Sequence, residues 1–224
     1  VDALGNIYMA GATTSRTNIS TTGSHQSTYG GGTFYDAFLV KFNSDGVRLW
    51  ATYYGGSGED YPNSVAVDSQ GNVYIAGYTI SRSNIGTINA HQSIYGGGTG
   101  YDAFLAKFNS NGILQWGTYY GGSLSDFGNA LAIDAQGNVF MAGYTYSTSN
   151  ISTTGAHQTT LGDMINTSPD AFLVKFNSSG VRLWGTYYGG SYIDEAYGLA
   201  IDAQGNVYMA GDSYSFNPYN IIAT

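Results

Sequence analysis

Three histidines, three aspartates and two tyrosines recur at fixed spacing in this chain, and they are the side chains with chemistry to offer. His25, His91 and His157 sit in "GSHQSTYGGGTF", "NAHQSIYGGGTG" and "GAHQTTLGDMIN", one residue repeated three times. An imidazole can ligate a metal, move a proton or satisfy backbone groups. Equivalent residues of successive repeats meet at one metal only if their loops converge. The expectation is therefore that each imidazole, with Gln26, Gln92 or Gln158 beside it, hydrogen-bonds its own loop; ligand binding is the alternative. Asp60, Asp126 and Asp194 each lie three residues after "GGS". A carboxylate there caps the amides of a turn, or joins backbone carbonyls around Ca²⁺. Capping is expected, because no loop has the dense D-x-D-x-D-G spacing of a calcium loop; no cofactor is expected, with Ca²⁺ as the alternative. Tyr29 and Tyr95 could stack on a sugar, although Leu161 takes the third place in that series.

The elements that position these residues follow from a repeat. "GNIYMAG" at Gly5 returns as "GNVYIAG" at Gly71, "GNVFMAG" at Gly137 and "GNVYMAG" at Gly205, with spacings of 66, 66 and 68 residues. "DAFLVKF" at Asp36 and "TYYGGS" at Thr52 recur in the same register, and the two extra residues fall between His157 and Asp170. Each unit reads as four short strands. In the second unit these are A (Ser64 to Asp68), B (Asn72 to Tyr78), C (Asp102 to Phe108) and D (Ile113 to Tyr120). "DSQGN" and "NSNGI" supply tight A-B and C-D turns, with Gly71 and Gly112 in left-handed conformation. Strand C is apolar on both faces, so each sheet is expected to be covered on both sides.

Serial four-stranded antiparallel units predict an all-β fold, a β-propeller, with an open solenoid or superhelix of the same sheets as the alternative. The expected divisions are a partial blade with strands B to D and its crossover (1–63), two blades (64–129 and 130–197), and a partial blade with A and B (198–224). Trp50, Trp116 and Trp184 in strand D are placed opposite Val40, Ala106 and Val174, and Lys41, Lys107 and Lys175 bury their stems between blades.

The pattern "DAFLVKFNSSGVRLWGTYYGGS", an Asp three residues on, then "LAIDAQGNVYMAG", resembles the SBBP (seven-bladed beta-propeller) repeat of bacterial secreted and surface proteins. The "AVDSQGNVYIAG" hairpin is also similar to NHL-type blades, where it forms the two innermost strands. The resemblance implies a bacterial protein that is exported, type IX secretion among the routes, to act outside the cell or on its surface.

Composition narrows the function. The 224 residues carry 42% hydrophobic residues, 33 glycines, 3 prolines and no cysteine, which allows a sizeable β core and excludes thiol chemistry and disulfides. A net charge of -8 without a basic cluster argues against nucleic acid and anionic membrane surfaces as partners, and no apolar run approaches a membrane span. No nucleophile elbow, H-E-x-x-H or phosphate loop occurs, and the polar candidates are copied in every unit, so catalysis is not expected unless an active site lies outside these residues. The expectation is a recognition or adhesion protein that binds a glycan or protein on the face carrying the B-C loops of some twenty residues and the D-to-A crossovers of about nine. A structural fibre or spacer, with copies joined through open blade edges, is the alternative.

Overall fold

A computed structural model of the chain describes residues 1–162 and 167–214. Its thirteen strands among the described residues form antiparallel sheets taken strictly in chain order. The first sheet comprises β1 (Ile7–Thr13), β2 (Asp36–Phe42) and β3 (Arg48–Tyr54). The second comprises β4 (Asp60–Val67), β5 (Val73–Thr79), β6 (Asp102–Phe108) and β7 (Leu114–Tyr120). The third comprises β8 (Asp126–Ile133), β9 (Val139–Thr145), β10 (Asp170–Phe176) and β11 (Arg182–Tyr188), and β12 (Asp194–Ile201) pairs with β13 (Val207–Ser213) in the last. These are propeller blades: β4 packs against β1 and β8, and β8 against β12, so the first strands of successive sheets line the inner side. The expected 198–224 unit is seen as far as Tyr214; its last ten residues lie outside the described part.

The short turns form because their sequences satisfy their own backbone. Asp68 accepts from the amides of Gln70 and Asn72 through one carboxylate oxygen, at 3.0 and 2.8 Å, and Gly71 adopts φ of 80°. Asn109 does the same for Asn111 and Ile113, with Gly112 at φ of 78°. Two register details depart from expectation. Strand A starts four residues earlier, at Asp60 and Asp126, because a bulge between Pro62 and Ser64, repeated between Gly128 and Ala130, interrupts the alternation without ending the pairing. The bulged Asn63 and Asn129 then reach the next blade, donating to Gly128 O (3.1 Å) and Ala196 O (2.9 Å). A second bulge, between Lys41 and Phe42, sets Trp50 opposite Lys41 rather than Val40; Trp116 likewise faces Lys107, and Trp184 faces Lys175.

The core is shared between blades. Tyr54 and Ile75 pack with Phe104 and Phe108, and Tyr120 and Met141 with Phe172 and Phe176, all at most 1% exposed. Burial of a large apolar side chain contributes about 1.5–3 kcal/mol, so the seams carry much of the stability. Directional bonds fix them: Tyr54 donates to Ile85 O (2.9 Å), Tyr120 to Ile151 O (2.7 Å), Trp50 Nε1 to Ser110 O (3.0 Å) and Trp116 Nε1 to Ser178 O (3.2 Å). The lysines lie as expected, with Lys107 Nζ over the Tyr74 ring and on Ser178 O, and Lys41 and Lys175 paired with Asp2 and Asp134.

Candidate functional site

The long B-C loops do not project freely. In the second blade, Thr87 donates its amide to Gly117 O (2.8 Å), and Gln92 both donates to Thr118 Oγ1 (2.9 Å) and accepts from Tyr119 N (3.0 Å). Thr21 and Gln26 treat β3 alike, and Thr153 and Gln158 treat β11 alike. Each loop thus runs back along the outer strand of its own blade and occupies an edge that would otherwise offer unpaired backbone groups. The D-to-A crossover shrinks to the five residues between β7 and β8, because β8 already begins at Asp126.

The histidines hold these loops by ring packing and not by the hydrogen bonds expected of them. His25 lies 6.1 Å from the Tyr54 ring and 5.9 Å from Phe108 of the next blade; His91 lies 6.1 Å from Tyr120 and 5.8 Å from Phe176. His157 stacks on Tyr188 at 6.0 Å. Desolvation lowers the His25 pKa and brings His91 down to about 4, with Arg182 adding to the latter, so both rings are neutral near pH 7. The adjacent glutamine does the polar work: Gln92 accepts from Gly121 N (3.1 Å) and donates to Asp102 Oδ2 (3.2 Å). Among the described residues no three His, Asp or Glu side chains group around a metal position.

Tyr29 and Tyr95 are engaged within the protein. Tyr29 meets Tyr53 edge-on at 5.9 Å with Arg16 over its ring, and Tyr95 meets Tyr119 at 5.8 Å with Arg82 over its ring. The Tyr95 hydroxyl donates to Gly100 O, and burial pushes its pKa up to about 12. Asp60 and Asp126 are fully buried and Asp194 is nearly so. Asp60 accepts from Thr79 Oγ1 (2.5 Å), Ser81 Oγ (2.8 Å) and Gly56 N (3.0 Å); Asp126 repeats this with Thr145, Ser147 and Gly122, and Asp194 accepts from Gly190 N at 2.7 Å. They cap the turn as expected, but as the first residues of strand A. Burial raises Asp60 to about 7 and Asp126 to about 8, against the pull of those donors.

The same end of the blades presents a second set of side chains. Tyr35 lies 5.2 Å from Tyr61, which stacks on Tyr78 at 5.2 Å; Tyr78 meets Tyr101 and Phe127 at 5.0 Å, and Phe127 stacks on Tyr144 at 4.6 Å, with Tyr146 beyond. The result is a continuous ribbon of seven half-buried to exposed rings across three blades. Tyr101 donates to Glu59 Oε2 at 2.5 Å, which fixes one ring and puts a carboxylate at the border. On the opposite, turn side, an open groove of about 840 Å³ runs between Ile88, Asn89 and Trp116 of one blade and Ser178 and Ser179 of the next.

Chain-ordered antiparallel sheets joined seam to seam agree with a family comparison: the model described as "Beta-propeller repeat" (SBBP) matches residues 49–86, 115–151 and 183–220, about half of the chain. The chain belongs to the SBBP beta-propeller repeat family. Each matched stretch starts in strand D of one blade and runs through strands A and B of the next, so the family unit spans the seam. An uncharacterized WD repeat-containing protein of Acanthamoeba polyphaga mimivirus is 27% identical over 200 residues, covering 79% of this chain and 14% of that protein. The chain therefore spans about one seventh of that relative's length.

The ribbon of this SBBP chain is what sequence reasoning missed. A signal existed: Tyr61 and Phe127 follow the Asp that opens strand A, Tyr78 and Tyr144 precede the Thr that closes strand B, and Tyr35 and Tyr101 precede the Asp that opens strand C. Pairing sets Tyr61 opposite Tyr78 and Phe127 opposite Tyr144, on the sheet face away from the aspartates.

Proposed function

We propose that this propeller segment is a non-catalytic recognition module that binds a glycan outside the cell or on its surface, and that the aromatic ribbon is its contact surface. The ribbon carries the reading: planar rings in series match the apolar faces of successive sugar units, while tyrosine hydroxyls and the Glu59 carboxylate match their hydroxyl groups. Acidic residues at its far end, where Glu195 pairs with Asp212 in place of the aromatic pair, favour a neutral or amino sugar over an anionic one. The polar residues repeated in every blade are occupied in closing loops, which supports a binding rather than a catalytic role. A glycan array probed with the chain, and with a Tyr78→Ala/Phe127→Ala variant of unchanged melting temperature, tests this. Selective binding lost in the variant supports it; equal binding by both proteins rejects it.

A building-unit role is the second reading. Neighbouring blades bond directly to one another, Asn63 to Gly128 O and Asn129 to Ala196 O, a joint of the kind a second copy would extend. Concentration-dependent sedimentation favours that role, and a monomer at all concentrations removes it.

A further inference from the structure

Six aspartates form a belt at the end of the blades that carries the B-C loops and D-to-A crossovers. Asp36, Asp60, Asp102, Asp126 and Asp170 are completely buried, and Asp194 is 4% exposed. Within a blade, Asp60, Thr79 and Asp102 stand opposite one another across three strands, as do Asp126, Thr145 and Asp170. Between blades, the aspartate opening strand C approaches the one opening the next strand A beside a glycine. A Cβ on Gly189 would lie 2.7 Å from Asp170 Oδ1 and 2.8 Å from Asp194 Oδ2, so both carboxylates face one gap. At Gly121 and Gly55 a Cβ would fall only 2.2 and 2.3 Å from a carboxylate oxygen of Asp126 and Asp60, and the charges of Asp102 and Asp36 act on those two groups.

At the first two seams the hydrogen bonds are incomplete on one side only. Asp60 and Asp126 use both oxygens, whereas Asp102 accepts only through Oδ2, from Gly96 N (2.6 Å) and Gln92, and Asp36 accepts through Oδ2 from Gly30 N (2.7 Å) and Gln26, with the Gly31 amide also close to its carboxylate. Their Oδ1 atoms are enclosed and accept no hydrogen bond. Nor does a basic side chain pair with Asp36, Asp60, Asp102 or Asp126 among the described residues; the ion pairs are Lys41 with Asp2 and Lys175 with Asp134. Carboxylates buried close together without a counter-charge are costly, and the cost falls on both of these seams, Asp36 with Asp60 and Asp102 with Asp126.

We propose that two of the seams are calcium sites, with Asp36 and Asp60 at the first and Asp102 and Asp126 at the second. Every donor in reach is a hard oxygen, and thiol and imidazole nitrogen are absent from the belt, which suits Ca²⁺ rather than a transition metal. Two carboxylates per seam leave the remaining positions to carbonyl, hydroxyl and water oxygens, the usual mixture for this ion. The ion would supply the missing positive charge and lock one blade to the next.

The test uses the whole chain freed of divalent ions with a chelator. Equilibrium dialysis against about 1 mM Ca²⁺ should give at least two ions per chain, and the melting temperature should rise by roughly 5 °C or more. Terbium, sensitised by the neighbouring Tyr119 and Tyr120, should luminesce and be displaced by Ca²⁺. Asp102→Asn should lose about one ion, and Asp45→Asn, in an exposed turn, none. If Asp102→Asn does not fold, the ion count of the unmodified chain decides alone. Less than one ion per chain at several millimolar Ca²⁺ overturns the proposal. So does a melting temperature that answers to acidification and not to Ca²⁺, which would mean that protons fill the belt.

Discussion

Replacing Gly180 by alanine should cost far more than replacing Gly46, although the two glycines occupy equivalent C-D turns. Their backbones match, with φ of 81° and 77°. An alanine forced into that left-handed region costs about 1–2 kcal/mol at either position. At Gly46 nothing lies within 4 Å of the new Cβ, whereas at Gly180 it falls 2.8 Å from Trp116 Cδ2 and 3.1 Å from Cε2 and Cε3. Carbon atoms in contact prefer about 3.5–4.0 Å, so the indole must lift away, and its 3.2 Å bond to Ser178 O goes with it. Overpacking of this kind adds about 1–3 kcal/mol. Urea denaturation followed by tryptophan fluorescence should place the Gly180→Ala midpoint below that of Gly46→Ala, with similar slopes. In a Trp116→Ala background the two glycine substitutions should cost the same. Equal losses in the unmodified background would refute the claim that the indole is the clasp between blades.

Three further outcomes follow from the same geometry. Burial raises the folded-state pKa of Asp60 and Asp102 to about 7 and of Asp126 to about 8, above an unfolded value of about 3.9. Their contribution to stability is fully present below the unfolded value and is lost as pH rises through 7–8, so in chelator the melting temperature should increase from pH 8 to pH 5; a fall over that range contradicts it. Tyr120→Phe removes the 2.7 Å donor to Ile151 O and leaves it only Arg182 Nη1 at 3.4 Å, which should cost about 1 kcal/mol in urea, an unchanged midpoint being the contrary result. His91→Phe keeps the ring contacts with Tyr120 and Phe176 and should change stability by less than about 1.5 kcal/mol, whereas a loss above about 3 kcal/mol would restore a polar role for the imidazole.

The repeat, the strand count and the tight turns were legible because each rests on local chemistry: a period, an alternation, an Asp or Asn before a left-handed Gly. What escaped depends on partners distant in sequence. Strand A hid its first residues because Pro62 and the bulged Asn63 break the alternation, while pairing with β5 continues regardless. The tryptophan register failed by one residue because nothing in "NSDGVRLW" announces the bulge at Leu49. The B-C loops carry no periodicity of their own; their course is set by bonds to strand D, about thirty residues away in the case of Thr87 and Gly117. The histidines looked polar in sequence and are aromatic in use, since their neighbours are rings from another blade. The ribbon was scattered over the ends of three strands per blade, and only sheet pairing joins it.

Glycan binding by the ribbon is the central claim, and titration of an array-selected oligosaccharide against the chain and its Tyr78→Ala variant tests it most directly. Loss of one stacked ring is worth about 0.5–1.5 kcal/mol, so calorimetry should show affinity reduced roughly two- to tenfold, at a temperature where circular dichroism shows both proteins folded. The same affinity in both proteins would contradict it.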